Sequence, residues 1–337
     1  MEKVTSLQVA ELAGVSQSAV SRVFTPGASA SAKTIEKVRK AADELGYRPN
    51  MMARAMITGK SRIIGLVVAY LDNQFYPLAM ERLSNALQEQ GYHILVFTAD
   101  NSRDDVEEVM KELLDYQVDG IITASVGMTN DLTNRCAAAG IPVVMFNRGQ
   151  DGDHVSSVTS ANVDGGRKVA EFLLACGHRN IAHISGWQGS STGRDRHDGF
   201  YAALAEAGVK PQVIDGRYDR DTAAAATRKL MLQSDPPDAI FVGNDHMAFA
   251  VMDTLRSHLG LRVPDDVAVV GYDDVPLAAW PAYNLTTMRQ PVNRMVEATI
   301  TTLLTRINDP GVPARRIEIE SPLIQRGSTR IPEGLPS

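Results

Sequence analysis

The sequence predicts a small all-α helix-turn-helix head joined to a larger α/β body of two doubly wound parallel-sheet lobes. Three observations carry this expectation. The chain has 337 residues, too many for one small domain and enough for two or three. Its charge is unevenly placed: residues 1–60 hold nine Lys/Arg against five Asp/Glu, net +4, while the remainder holds 25 against 35, net −10. Its periodicity changes at Arg62, from helical spacing to short apolar runs alternating with amphipathic helices. A basic head on an acidic body suits a chain that sets one end on a phosphate backbone and keeps the rest off it.

Composition narrows the class. A hydrophobic fraction of 44% with 22% charged residues is that of a soluble globular protein with a full core, and it argues against disorder. Cys136 and Cys176 sit in helix-like stretches without metal-ligand spacing, as reduced cytoplasmic thiols do. The segment from Met1 to Thr5 has no apolar signal region, and no stretch nears the roughly 18 apolar residues of a membrane span. A cytoplasmic protein without membrane contact, associated with the nucleoid when on DNA, is expected.

Residues 1–48 read as three short helices. Thr5-Ser6-Leu7-Gln8 has capping-box spacing, in which the Thr hydroxyl and Gln amide oxygen satisfy each other's orphan backbone donors. The first helix should end at Gly14. Ser16 can cap a second helix that turns Ala19, Val20 and Val23 inward and leaves Gln17, Ser18, Ser21 and Arg22 outside. Ser31 caps a third, striped by Ile35, Val38, Ala42 and Leu45 and closed by Gly46. Two helices joined by a short Gly-containing turn place the second in a DNA major groove. Gln17, Ser18 and Arg22 can hydrogen-bond base edges. The hydroxyls of Thr5, Ser16, Ser21 and Ser31 suit phosphates. The bland alternative is a three-helix structural cap.

Residues 49–61 set the head apart from the body as a short helical candidate and a linker. The helical candidate at 50–58 lies between Pro49 and Gly59-Lys60-Ser61, and at nine residues it is too short to stand alone in water. Beyond it, strand candidates fall at 63–69, 93–98, 120–123, 142–146, 181–185, 213–215, 239–242 and 267–271, separated by helices such as 78–90, 106–116 and 248–259. Alternation of this kind implies parallel sheets covered on both faces, and eight units exceed one ordinary sheet. Ligands of such sheets sit at the carboxyl ends of the strands, so the polar residues there are the candidates.

The head carries a specific resemblance. Val4-Thr5, Val9-Ala10-Glu11-Leu12-Ala13-Gly14-Val15-Ser16, Val20-Ser21-Arg22-Val23, Ser31-Ala32-Lys33-Thr34 and Leu45-Gly46-Tyr47-Arg48-Pro49-Asn50 resemble the lac repressor/galactose repressor family. The likeness runs over about residues 4–330. It implies base reading by Gln17, Ser18 and Arg22, phosphate contacts by Tyr47 and Asn50, and a hinge helix whose Ala53 and Met56 meet DNA. The family's hinge wedges an apolar residue, usually Leu, into the minor groove, and Met56 stands there. Ala19 replaces the family's usual Thr, and Phe24-Thr25 its usual Leu-Asn, so the operator sequence does not transfer.

The same resemblance implies a periplasmic-binding-protein-like (type I) effector domain at 62–331. Lobe one would take about 62–161 plus 290–321, and lobe two about 162–289 plus 322–331. It carries effector roles onto Asn73, Phe75, Asn147, Arg196, Tyr218, Asn244 and Asp273. Ser125, after the third strand, should line the crevice, whereas Asp245 and Asp274 read as helix caps or loop braces. Arg148, Arg194 and Arg196 could all reach the crevice. Since guanidinium groups pair with carboxylate or phosphate, the sequence leans towards an anionic sugar acid or sugar phosphate over a plain sugar.

Gly186-Trp187-Gln188-Gly189-Ser190-Ser191-Thr192-Gly193 looks like a phosphate cradle, but it lacks the Gly-Lys-Ser/Thr ending and reads as a flexible loop positioning Arg194 and Arg196. No cofactor or metal is expected, and the seven His are scattered, so an enzyme is disfavoured. The remaining rival is a solute-binding protein with no gene-regulatory role, against which the fused head and the missing signal segment speak. The expectation is a repressor of double-stranded palindromic operator DNA, controlled allosterically by a small effector. No leucine-heptad tail follows the last strand, so a homodimer is favoured over a tail-assembled tetramer.

Overall fold

The computed structural model describes residues 4–25, 28–48, 59–99, 103–150 and 154–330. The chain divides into two compact units, Met1–Ser61 and Arg62–Ser337.

In the first unit, α1 (Ser6–Ala13), α2 (Gln17–Val23) and α3 (Ala32–Leu45) pack around Val9, Ala10, Ala13, Val20, Val38, Ala41 and Ala42. Local chemistry sets every boundary. Thr5 accepts from the Gln8 amide at 3.4 Å while Gln8 Oε1 accepts from the Thr5 amide at 2.8 Å, a complete capping box. Ser16 and Ser31 cap α2 and α3 through the Ala19 and Thr34 amides. Gly14 and Gly46 end α1 and α3 in the left-handed conformation that a β-carbon disfavours.

The second unit holds two six-stranded sheets. The first contains β1 (Ile63–Val68), β2 (His93–Thr98), β3 (Gly120–Ala124), β4 (Val143–Phe146), β5 (Val155–Ser160) and β11 (Arg316–Ile319), ordered β11-β5-β4-β3-β1-β2 and wholly parallel. The second contains β6 (Ile181–Ser185), β7 (Gln212–Asp215), β8 (Ala239–Val242), β9 (Ala268–Asp273), β10 (Thr286–Arg289) and β12 (Leu323–Ile324), ordered β12-β10-β9-β8-β6-β7. There only β12 runs antiparallel. The chain thus leaves the first sheet after Ser160, returns after Arg289 and leaves again after Ile319.

The helices are α4 (Phe75–Glu89), α5 (Arg103–Asp115), α6 (Asn130–Ala138), α7 (Asn162–Ala175), α8 (Ser191–Glu206), α9 (Arg220–Met231), α10 (Asp245–Asp253) and α11 (Val292–Asn308). Successive strand residues point to opposite faces, so each central strand must be apolar throughout. Leu66, Ile122 and Val144 meet Leu83 of α4 and Leu303 of α11, while Val67, Ile121 and Val143 meet Met110 of α5 and Leu132 of α6. In the second sheet, Phe241 and Val270 pack with Leu173 of α7 and Phe200 of α8. Ile240 and Val269 join Leu230 of α9 and Val251 of α10.

β5, absent from the strands expected from sequence, reads Val-Ser-Ser-Val-Thr-Ser and is buried along its length. Two of its serines are satisfied: Ser156 Oγ accepts from the Arg315 amide at 3.1 Å, and Ser160 Oγ donates to Gln290 Oε1 at 3.1 Å. Two glycines bring α7 and α8 together. A β-carbon on Gly166 would collide with the carbonyl oxygen of Arg196, and one on Gly199 with that of Val163. This close approach fixes α8, and with it Arg196, against the first turn of α7.

Candidate functional site

Two surfaces collect the predicted residues. On the head, Gln17, Ser18, Ser21 and Arg22 are all exposed on α2. They form one ridge, because positions four apart on a helix share a face. Gln17 Nε2 donates to Ser6 Oγ at 2.9 Å, Ser16 and Ser18 hydroxyls lie 2.9 Å apart, and Arg22 Nε reaches the Ser18 carbonyl at 3.4 Å. Thr5 and Ser16 stand at exposed helix starts. Tyr47 is half-buried, its ring 5.9 Å from Phe24, so that substituted Phe braces the end of α3. Asn50, Ala53 and Met56 lie outside the described residues.

On the body, the cavity between the lobes is lined by Tyr70, Asp72, Asn73, Tyr76, Ser125, Asn147, Thr192, Arg196, Tyr218, Asn244 and Asp273. Seven of these are among the ten residues expected from sequence. The cavity is small, about 20 Å³. That is room for about one or two waters. The cleft is nearly shut.

The floor is an ion pair. Arg196 Nη1 lies 3.6 Å from Asp273 Oδ1, both side chains 3% exposed. The guanidinium is held from three further directions: Nε donates to Asn162 Oδ1 at 2.9 Å, Nη1 donates to the Gly243 carbonyl at 2.7 Å, and the Tyr272 ring lies 3.6 Å beneath it. Gln290 Nε2 donates to Asp273 Oδ1 at 2.7 Å. Burial pushes the Asp273 carboxyl up to about 6, against the opposing pull of Arg196, Gln290 and Asn73. Burial also holds Asp245 well above the usual carboxylate range, with Asp273 adding to it.

Carboxamides and hydroxyls form the walls. Asn147 Nδ2 donates to Tyr76 Oη at 3.2 Å, while among the described residues its buried Oδ1 has no hydrogen-bond partner. Tyr218 Oη donates to Thr192 Oγ1 at 3.1 Å. Asn244 both lines the cavity and caps α10 through the Met247 amide at 3.0 Å. Five lining residues have positive φ: Tyr70 (58°), Ser125 (64°), Asn147 (61°), Tyr218 (59°) and Asp273 (126°). Each turns the chain sharply at or just beyond a strand end, a conformation costing about 1–3 kcal/mol that persists only where surroundings over-determine it.

Three contacts draw the lobes together around this cavity. Asp72 Oδ2 lies 3.2 Å from His246 Nε2, the Gly149 amide donates to Ser191 Oγ at 2.9 Å, and the Arg148 guanidinium sits 5.6 Å above Trp187. Burial lowers the His246 pKa below its ordinary value, against the attraction of Asp72.

Three expected effector residues are not in the cavity wall. Phe75 is buried against Phe146, ring centroids 6.1 Å apart, and the next residue, Tyr76, lines the cleft instead. Arg148 is buried beside Trp187. Arg194 is exposed, donating to the Gln188 carbonyl at 3.3 Å. The loop expected to position Arg194 and Arg196 is also shorter than thought, because Ser190 caps α8 and both arginines are helical. Two residues apart on a helix they diverge by about 200°, so only one can face the cleft.

Asp245 and Asp274 act as braces. Asp245 accepts from Thr287 Oγ1 at 2.6 Å and the Val275 amide at 3.0 Å, and Asp274 pairs with Arg289 and Arg326, each at 2.6 Å. Tyr70, Asp72, Tyr76 and Thr192 were not anticipated. Tyr70 and Asp72 directly follow β1, the position the strand-end rule names, whereas nothing local marks Thr192.

Among the described residues no helix is long and apolar enough to cross a membrane, and no group of three or more His, Cys, Asp or Glu could hold a metal ion.

Residues 7–50 match the model of bacterial regulatory proteins of the lacI family, and residues 170–329 match the periplasmic binding protein-like domain. The chain is 31% identical over 330 residues to the HTH-type transcriptional repressor PurR of Vibrio vulnificus (strain CMCP6), covering 97% of this chain and 98% of that one. Its fold superposes on the lac repressor dimer bound to operator and the anti-inducer ONPF with a TM-score of 0.85 at 28% identity, covering 97% and 99% of the two chains. The transcriptional regulator CelR–cellobiose complex superposes at 0.71 with 32% identity, covering 97% and 100%. With a base-reading head and a two-lobed sensor in one chain, this protein belongs to the lacI family of bacterial regulatory proteins, which are DNA-binding transcriptional repressors and not enzymes.

Proposed function

We propose that the chain is a cytoplasmic, homodimeric repressor whose two heads read a palindromic operator and whose cleft takes a neutral, polyhydroxylated small molecule, with no further cofactor. The charge balance of the cavity carries this reading. Of the three arginines that could favour an anion, only Arg196 lines the cavity, and its charge is met by Asp273. Asp72 adds a second carboxylate, so the lining is net −1. No arginine of the lining is left without a carboxylate to offer an anion, whereas hydroxyls find the carboxamides of Asn73, Asn147 and Asn244 and the acceptor Asn147 Oδ1. The CelR structure with cellobiose supports the same chemistry in a relative.

Operator affinity would then follow from linkage. A ligand that prefers one lobe arrangement shifts the dimer between two states, and DNA shifts ligand affinity reciprocally. The test is a thermal-shift panel of neutral sugars, sugar acids and sugar phosphates, run on the wild type and on Asn244→Ala, followed by operator gel shifts with each hit. A neutral compound that stabilises the wild type, fails on Asn244→Ala and changes operator affinity supports the reading. Stabilisation by anions alone, abolished by Asn244→Ala, would overturn it.

A further inference from the structure

Away from the cleft, on the outer edge of the first sheet, α11 and β11 enclose a groove of about 410 Å³ with the segment that joins them. Arg294, Ala298, Thr301 and Thr305 supply one face of α11, spaced at helical intervals. Its opposite face, carrying Met295, Ile300 and Leu303, is buried in the lobe core. The floor is apolar, from Ala298, Val312, Pro313 and Ile317, and the rim is basic, from Arg294, Arg306 and Arg315.

The arginines set this groove apart. In a body of net charge −10, none of the three has a carboxylate within ion-pair distance among the described residues, although Glu297 and Glu318 also line the groove. Arg294 and Arg315 are exposed. Arg306 is half-buried, with Nη1 donating to the Val143 carbonyl at 3.4 Å and a buried Nε that has no hydrogen-bond partner among the described residues. Burial lowers its pKa and no neighbouring acid offsets this. Partial burial of a guanidinium without a counter-charge is unfavourable, and a bound anion would relieve it.

We propose that this groove is a second small-molecule site, taking a phosphate-bearing compound with an apolar portion. The phosphate engages Arg294, Arg306 and Arg315, and the apolar portion lies on Ala298, Val312 and Pro313. The site is separate from the cleft in chemistry as well as place, since the cleft lining is net negative and hydroxyl-rich. One physical path joins them: Arg306 holds the first residue of β4, and Asn147 follows the last.

Isothermal titration of the full chain with phenyl phosphate at constant ionic strength tests the proposal, with inorganic phosphate and phenol as single-feature probes. Saturable binding of phenyl phosphate, stronger than that of either probe, is expected. The double variant Arg294→Gln/Arg315→Gln, whose side chains are exposed, should bind at least about tenfold more weakly, since it removes two charge-assisted contacts. Asn244→Ala should bind as the wild type does. Absence of saturable heat, equal binding by the double Gln variant, or loss of binding in Asn244→Ala would each overturn the assignment.

Discussion

Asp72 and His246 meet across the mouth of the cleft, carboxylate oxygen to imidazole Nε2 at 3.2 Å, one from the loop after β1 and the other from α10. The His side chain is 11% exposed and the Asp 70%. The contact is therefore screened on one side and worth little to stability, yet it exists only when the lobes are closed. Asp72→Asn should weaken binding of a cleft ligand by a few-fold, under about 1 kcal/mol, and leave the melting temperature unchanged. A loss of about a hundredfold would show Asp72 to be a direct ligand contact.

Protonation of the same pair has a defined sign. Burial lowers the His246 pKa in the closed form, so closure favours the neutral ring and weakens as pH falls below the ordinary His range. The ratio of ligand affinities, wild type over His246→Gln, should therefore decrease from pH 7.5 to pH 5.5. A constant ratio would mean that His246 does not titrate on closure.

Asp273 has the opposite sense. Its carboxyl is raised from 3.8 to about 6 by burial, so the folded body binds that proton more tightly than the unfolded chain. Its stabilising contribution is complete below about pH 4 and is lost as pH rises through about 6, a change on the order of 2–3 kcal/mol. Calorimetry of the wild type against Asp273→Asn should show the wild type losing a few degrees relative to the variant between pH 5 and pH 8. Parallel curves would refute the raised value.

Removing Arg196 should be costly. Arg196→Met leaves Asp273 buried without its counter-charge and takes the donors from Asn162 and Gly243, a loss of about 3–5 kcal/mol. The double variant Arg196→Met/Asp273→Asn should recover at least about 1 kcal/mol of the summed losses, because the two residues share one interaction. Additivity in denaturant unfolding would show that the pair is not coupled.

In the head, Arg22→Ala removes an exposed side chain of the α2 ridge and should cost about 1–3 kcal/mol on operator while relaxing preference at one base. Met56→Ala tests the hinge. If Met56 wedges into the minor groove, operator affinity should fall on the order of tenfold or more with non-specific binding little changed. Equal losses on operator and non-specific DNA in gel shifts would sink that role.

Much of the architecture was legible because period and punctuation are local. The capping serines, Gly14 and Gly46 bounded the head, and doubly buried strands announced themselves as apolar runs. β5 escaped because four of its six buried positions are Ser or Thr, two of them satisfied by partners as distant as Arg315 and Gln290, which no local pattern reveals. At the site, strand ends pointed to the right loops but not always to the right side chain. Phe75 and Tyr76 are adjacent at the start of α4, about 100° apart, and only packing against Phe146 decides which turns inward. Arg194 and Arg196 were separable by helical phase once Ser190 is read as a cap. Thr192 was not foreseeable, since it enters the cavity only through the glycine-mediated docking of α7 on α8.

The narrowness of the closed cleft has a kinetic consequence. With space for one or two waters, a sugar-sized molecule cannot enter this form by diffusion alone. Capture must wait for the lobes to part, so every cleft ligand shares the opening equilibrium as a common factor in its association rate. Discrimination among similar compounds then resides in how long the shut lobes retain each one.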